Sequence, residues 1–402
     1  MIGEVLSPAV TGIAVLSLAA WLYLTLAHGG FWRTRERLDG APEPLADAPS
    51  VVALVPARNE ADVIARSLSS LLAQDYPGKF EIVLIDDHSD DGTAETARET
   101  AAATKSRHRL DVIRSRPLPS GWAGKVWALS EGLRHIESAP QSPDYILLTD
   151  ADLEHDPANL RRLVSKARSE DLDLVSQMVV LVSQGSWASL LIPAFVLFFQ
   201  KLYPFAWVND PKRRTAAAAG GCVLLRRQAL ERIDGFNRMQ GALIDDCALA
   251  ALIKKDGREE GGRLWLGLTR SARSLRPYEG LAGVWRMVAR SAFTQLRYST
   301  LLLLGTTAGM AVLYWLPPLI ALMAWAVGAP LSTVAASAAW FLMALNFTPI
   351  LRFYGCPPYL ALLLPVAGFL YSLMTISSAI EHWRGRGGTW KGRTEAGRVD
   401  SA

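Results

Sequence analysis

Residues Asp144-Tyr145-Ile146-Leu147-Leu148-Thr149 read as a buried strand, and that strand stops abruptly at Asp150-Ala151-Asp152. Beyond it, Leu153-Glu154-His155-Asp156-Pro157 is an acidic, helix-starting turn. An open α/β sheet gathers its ligands at the carboxyl ends of parallel strands. Two carboxylates one residue apart can there turn toward a single hard cation that also carries phosphate oxygens. Taken alone, Asp-x-Asp is more often a polar strand-to-helix turn with an N-cap, so the neighbouring segments have to decide.

Strand-like and helix-like stretches alternate around this point. Strands are expected at residues 51–55, 81–85, 110–114, 145–149 and 172–182, and helices at 60–74, 92–103, 124–137 and 157–169. Such alternation calls for a mostly parallel sheet covered by helices. The first strand runs into Pro56-Ala57-Arg58-Asn59-Glu60, a polar turn opening a helix whose N–H groups point above the sheet. The second runs into Asp86-Asp87-His88-Ser89-Asp90-Asp91-Gly92-Thr93. Carboxylates this crowded repel one another unless they cap helices, meet donors on a base or ribose, or face a cation. Caps of this kind are common, but Asp150 and Asp152 end a nearby strand in the same way, and the pattern points to a nucleotide site at the strand ends.

Half of the 402 residues are apolar, too many for a wholly soluble chain, and the excess lies at the two ends. Residues 5–27 form an uncharged stretch of spanning length, followed by Arg33, Arg35 and Arg37. It has no basic leader or small-residue cleavage site, so a retained anchor is expected, with the next domain in the cytoplasm. Three further apolar stretches at about 300–327, 332–351 and 359–380 are each long enough to span. Three crossings would leave the tail outside, whereas Arg384, Arg386, Lys391, Arg393 and Arg398 call for the inside. Pro365 and Gly368 allow the last stretch a kinked or re-entrant path.

Residues 186–208 are apolar but interrupted by Pro193, Lys201 and Pro204, and Phe198, Phe199, Tyr203 and Trp207 suit a helix lying in the membrane interface beside the acceptor. The other reading is a buried core helix. Residues 281–298 place Leu281, Val284, Trp285, Val288, Ala292 and Leu296 on one face, which gives a second interfacial helix. The expected plan is an anchor at 1–30, a linker at 31–50, a catalytic domain at 51–280, the amphipathic helix at 281–298, a membrane region at 299–381 and a basic tail at 382–402. Cys222, Cys247 and Cys356 have neither metal nor redox spacing, which fits a reducing compartment. The net charge of +4 comes without basic residues interleaved with aromatics, so a nucleic-acid groove is not expected. Basic clusters beside the apolar segments suit an anionic lipid surface.

The turns at 56–60 and 86–93, Gly124-Lys125-Val126-Trp127-Ala128-Leu129 and Thr149-Asp150-Ala151-Asp152 occur in an order and spacing that resembles a family-2 glycosyltransferase. Gly220-Gly221-Cys222, Arg226-Arg227, Asp234-Gly235-Phe236 and Asp245-Asp246-Cys247-Ala248-Leu249 extend the likeness over roughly residues 50–275. The run from Ser186 through Lys212-Arg213-Arg214 to Gly220-Gly221 resembles the bacterial hopene-associated glycosyltransferases, and ceramide-glucosyltransferase-like enzymes are a more distant comparison.

That resemblance implies an α/β GT-A nucleotide-binding catalytic domain with N-terminal and C-terminal transmembrane helices and interfacial amphipathic helices. It implies a nucleotide-sugar donor, a UDP-sugar in the first instance, and Mg²⁺ or Mn²⁺ as cofactor. Asp87 would contact the nucleoside, Asp150 and Asp152 the ribose side and the metal, and Asp246 would be the base. The family more often has Glu where this chain has Asp245, which leaves Asp245 as the other candidate. Pro56, Arg58, Glu60, Lys125, Arg297, Trp390 and Arg393 complete the donor set. Thr294-Gln295-Leu296-Arg297-Tyr298 departs from the Gln-x-x-Arg-Trp signature of processive synthases, which argues against a polymerase. The tail Gly387-Gly388-Thr389-Trp390-Lys391-Gly392-Arg393 either folds over the nucleotide or is a plain positive anchor. The acceptor would be a hopanoid or other isoprenoid-related lipid in the bacterial cytoplasmic membrane. Polyprenyl phosphate is the alternative acceptor, and a non-catalytic membrane scaffold the alternative class.

Overall fold

The computed structural model describes residues 8–45, 47–242, 244–256, 261–385, 389–390 and 393–394, and the chain divides into two compact units. The strands are β1 (Val51–Ala57), β2 (Phe80–Asp86), β3 (Arg109–Arg114), β4 (Tyr145–Thr149), β5 (Leu153–His155), β6 (Leu174–Val180), β7 (Cys222–Arg226) and β8 (Leu264–Ser274). The helices are α1 (Pro8–Leu26), α2 (Ile64–Leu72), α3 (Thr93–Ala103), α4 (Gly124–Glu137), α5 (Asn159–Ser169), α6 (Ser186–Leu202), α7 (Phe205–Asn209), α8 (Arg227–Arg232) and α9 (Asp245–Asp256). They continue with α10 (Gly280–Gln295), α11 (Thr300–Met310), α12 (Leu316–Ala326), α13 (Pro330–Phe353) and α14 (Leu364–Trp383).

One unit, residues 36–182 and 207–277 with the chain end, is built on an eight-stranded sheet of order β3-β2-β1-β4-β7-β6-β8-β5. From β3 to β4 every pairing is parallel, as the alternation of elements predicts. These strands are continuous apolar runs because helices cover both faces, and all of β1 and β4 is buried. On α2, Ile64, Leu68, Leu71 and Leu72 form the buried stripe that packs on the sheet. Beyond β4 the sheet changes character. β7 runs antiparallel to both β4 and β6, β8 runs parallel to β6, and β5 is antiparallel to β8. The sequence reading contains none of β5, β7 and β8. Glu36, Arg37 and Leu38, expected within a linker, bond to Leu268 of β8.

Because β7 reverses direction, its first residue meets the last of β4, and Cys222 is the register partner of Thr149. The Gly220-Gly221 turn is thereby carried to the carboxyl ends of β1, β2 and β4.

The other unit, residues 1–35, 183–206 and 278–387, is helical. Four segments are long and apolar enough to cross a membrane: Pro8–Leu26, Thr300–Ala326, Pro330–Phe353 and Pro358–Trp383. Inside the second, Ala311–Trp315 forms one turn of π-helix just before Pro317 and Pro318. Proline has no N–H to donate, and the Leu313 carbonyl that Pro317 leaves open accepts the Trp21 indole N–H at 2.8 Å. Pro365 does not stand in the middle of an α-helix. It lies in the first turn of α14, after a 3-10 segment Pro358–Leu363, where its missing N–H costs nothing. Gly368 then lets that helix approach Tyr314, since a Cβ there would fall 2.8 Å from the Tyr314 Cβ.

The two helices expected at the membrane interface pack on other helices of this unit. Leu190 to Ala194, Val196, Leu197 and Gln200 of α6 are buried, and Phe198 meets Tyr314 and Tyr371 edge-on with ring centroids 5.4 and 5.0 Å away. Val284, Val288 and Phe293 of α10 are buried, and that helix bonds to α14 through Trp285 Nε1 to Ser377 and the Phe293 N–H to Ser378. Arg286 and Arg290 point outward.

Candidate active site

Lys125 is the second residue of α4, and its ammonium lies 2.7 Å from Asp150 Oδ1 and 3.7 Å from Asp245 Oδ2. The end of β4, the start of α4 and the start of α9 thus meet at one cation. Burial works against the charge on Lys125, but the Asp150 and Asp245 carboxylates hold its ammonium well above the ordinary lysine range. Together with Pro56, Thr149, Gly220 and Asp246 these residues line one narrow cleft.

Asp246 is fixed by two backbone donors, Gly220 N–H to Oδ2 and its neighbour Cys247 N–H to Oδ1, each at 2.7 Å. The first contact favours a glycine, because a Cβ at 220 would sit 3.1 Å from that oxygen and press the carboxylate outward. Burial and the adjacent Asp245 push the Asp246 carboxyl up to about 6, against the pull of Lys125 and the two N–H groups. A carboxylate of that pKa is charged at neutral pH yet basic enough to take a proton.

Asp150 donates its N–H to the Gly221 carbonyl at 3.1 Å, and the Asp152 carbonyl accepts from Leu275 at 2.7 Å. The next residue, Arg276, binds Glu60 Oε2 at 2.5 Å and Asp62 Oδ1 at 2.6 Å, and its pKa is raised by these carboxylates and by Asp152. Arg276 escapes the sequence reading, since only the unrecognised strand β8 brings it to the turn.

The acidic turn after β2 divides by role. Asp86 accepts the Ser89 N–H at 3.1 Å and closes its own turn, whereas Asp91 accepts from Thr93 and from the Ala61 N–H and so ties this turn to the one after β1. Asp87 is fully buried, accepts Ser115 Oγ at 2.9 Å and lies 3.9 Å from Arg58. Arg58 donates to the Asp87 and His88 carbonyls, and Glu60 takes Thr93 Oγ at its N–H. Pro56, Arg58, Glu60, Asp87, Lys125, Asp150, Asp152, Asp245 and Asp246 therefore all belong to the sheet unit, at the strand ends.

The remaining candidates lie elsewhere. Arg297 is exposed with φ of 52° in the helical unit. In the same unit Tyr203 accepts from Gln295, and the Phe199 ring lies 5.2 Å from that of Tyr203. Trp207, in the sheet unit, lies under the Arg213 guanidinium at 4.9 Å. Trp390 and Arg393 are partners in a two-residue antiparallel pair, while Lys391 and Gly392 fall outside the described residues.

Among the described residues no three His, Cys, Asp or Glu side chains converge on one point. Asp150 and Asp152 supply two hard oxygen donors, and Asp150 already faces a cation. This set fits a Mg²⁺-like ion, which takes one or two carboxylates and fills its other positions with phosphate oxygens and water.

Residues 52–234 match the family model described as Glycosyl transferase family 2. An N-acetylglucosaminyltransferase of Rhizobium leguminosarum bv. viciae is 27% identical over 237 residues, 55% of this chain and 50% of that protein. An undecaprenyl-phosphate 4-deoxy-4-formamido-L-arabinose transferase of Edwardsiella ictaluri is 35% identical over 119 residues, 29% of this chain and 33% of that protein. The chain spans half or less of the length of these two curated relatives. Among solved structures, the mannosyltransferase PcManGT from Pyrobaculum calidifontis in complex with GDP-Man and Mn²⁺ superposes with a TM-score of 0.54 at 21% identity, covering 94% of this chain and 99% of its own. The sheet with its covering helices is thus a GT-A-like α/β fold, and residues 52–234 match the model of glycosyl transferase family 2.

Proposed function

We propose that the protein is an inverting glycosyltransferase that moves a sugar from a nucleotide-sugar donor, a UDP-sugar in the first instance, to an isoprenoid-related membrane lipid. The observation that carries this is the single cleft in which Lys125 joins Asp150 to the Asp245-Asp246 pair. Asp246 takes the proton of an acceptor hydroxyl as its oxygen attacks the anomeric carbon. Lys125 and Arg276 supply positive charge toward the departing diphosphate. Asp150 and Asp152 would hold Mg²⁺ or Mn²⁺, which when bound stabilises the charge that builds on the leaving group. Four helices of spanning length suit an enzyme of the bacterial cytoplasmic membrane with its sheet unit in the cytoplasm, and a hopanoid is one lipid of the proposed class.

A second reading, transfer to a polyprenyl phosphate, is favoured by the undecaprenyl-phosphate transferases among the relatives. The two differ in their need for a base, because a phosphate acceptor is already anionic. Purified protein incubated with a panel of nucleotide sugars and membrane lipid extract should yield a new glycolipid by mass spectrometry. Asp246→Asn should nearly abolish transfer to a hydroxyl and weaken transfer to a phosphate far less. Absence of both donor hydrolysis and glycolipid product with every donor would overturn the assignment and leave a non-catalytic scaffold.

A further inference from the structure

Beneath the Asp150–Asp152 turn, five polar side chains sit in the sheet core: Thr149, His155, Asn159, Gln177 and Cys222, none more than 4% exposed. They come from β4, β5, α5, β6 and β7 respectively. Burying an amide or imidazole unpaired costs about 1–3 kcal/mol per group, so such a cluster persists only where its members satisfy one another. Here they do so, and the Asn159 amide also donates back to Cys222 Sγ at 3.9 Å. Cys222 Sγ–H donates to Gln177 Oε1 at 3.4 Å, and Gln177 Nε2 donates to Asn159 Oδ1 at 2.9 Å. Asn159 Nδ2 donates to His155 Nδ1 at 3.1 Å, and His155 Nε2 faces Thr149 Oγ1 at 2.9 Å. Because Nδ1 accepts, the neutral imidazole carries its proton on Nε2 and donates to Thr149. Burial pushes that imidazole down to about 4 and the Cys222 thiol up to about 12, so the chain is uncharged at neutral pH.

The chain ends on either side of the turn: Thr149 immediately precedes Asp150, and Cys222 follows Gly221, whose carbonyl accepts the Asp150 N–H. We propose that the Cys222–Gln177–Asn159–His155–Thr149 chain is a positioning device that holds the Asp150–Asp152 turn in the orientation that binds a divalent cation. This rests on the reading that these carboxylates take the metal. Of the five residues Thr149 also lines the cleft, and the other four act through it and through Gly221. Hydrogen-bonded groups behind metal ligands change affinity by about 10–100-fold when removed.

The test is Mn²⁺ titration of the full chain in detergent, followed by electron paramagnetic resonance, with thermal unfolding measured alongside. Thr149→Val keeps the shape and removes the acceptor, and should weaken Mn²⁺ binding by about tenfold or more. Thr149→Ser should restore it. A folded Thr149→Val chain with wild-type Mn²⁺ affinity overturns the proposal. If Thr149→Val fails to fold, Asn159→Asp decides: it is isosteric, but places an oxygen where the amide donates, which draws the imidazole proton to Nδ1 and away from Thr149. A tenfold loss there supports the device, and unchanged affinity overturns it. Wild-type protein that takes up no Mn²⁺ overturns the metal reading itself and this proposal with it, an outcome distinct from one confined to the variants.

Discussion

Replacing Lys125 with Met removes the cation shared by Asp150 and Asp245 while keeping most of the side-chain length. In the intact cleft burial and Asp245 raise the Asp246 carboxyl to about 6, and Lys125 opposes them. A close opposite charge lowers a carboxyl pKa by about 1–3 units. With about one to two units assigned to Lys125, Asp246 in the variant titrates near 7 to 8. At pH 7 a base of pKa about 6 is roughly 90% ionised, against roughly 50% for pKa 7 and roughly 10% for pKa 8. Ionisation alone therefore lowers kcat/KM at pH 7 by about two- to tenfold. At pH 9 the base is ionised in both proteins, so any loss that persists there measures the contact of Lys125 with the donor. The discriminating quantity is the wild-type to variant ratio of kcat/KM at pH 7 divided by the same ratio at pH 9, expected at about two to ten. The sign follows because loss of a cation raises the pKa and moves the acid limb of the profile to higher pH. A quotient of one, or a limb that moves to lower pH, refutes the electrostatic coupling of Lys125 to the base.

Other consequences are as direct. Asp246→Asn should lower kcat for a hydroxyl acceptor by about two to four orders of magnitude with donor KM little changed, and a larger loss in Asp245→Asn than in Asp246→Asn would mean that the other carboxylate is the base. Chelation of divalent ions should abolish transfer, and Asp152→Asn should weaken nucleotide-diphosphate binding in calorimetry; full activity in excess chelator contradicts the role given to Asp150 and Asp152. The His155 imidazole sits near 4 in the fold against 6.5 for the free group, so its contribution is complete above pH 6.5 and is lost as pH falls toward 4. That change amounts to about 3 kcal/mol, and His155→Gln should flatten the corresponding part of the unfolding midpoint measured against pH.

The parallel half of the sheet is legible because each strand is a continuous apolar run bounded by turn residues, the pattern that burial on both faces demands. The carboxylates are legible because Asp87, Asp150 and Asp152 stand where such runs end. The antiparallel half is not. β5 is three residues long inside an acidic turn, and β7 and β8 are recognisable only through pairings with strands far away in the chain. Arg276 and the buried polar chain depend on those strands, and Gln177 and Cys222 are 45 residues apart. In the helical unit the lengths of the spans are legible from apolar runs, but the partners of α6 are not. Phe198 and Phe199 read as lipid-facing because aromatic residues favour a membrane interface, yet each meets another aromatic side chain within the protein.

The junction of β4 with β7 links the fold to the chemistry. Side chains alternate across a strand, so a slip of one residue in β7 would turn Cys222 away from Gln177 and bring Val223 into the polar cluster. The Gln177 amide oxygen would then be buried without its thiol donor, and the Gly221 carbonyl would leave the Asp150 N–H. The same slip would carry Gly220 off Asp246, whose Oδ2 accepts its N–H at 2.7 Å. An apolar core at these positions would tolerate the slip with little penalty, whereas the polar chain makes it costly because several buried groups lose partners together. The contacts proposed to orient the Asp150–Asp152 turn are thus also the contacts that specify the strand register, and Asp246, Asp150 and Asp152 are placed by one and the same pairing.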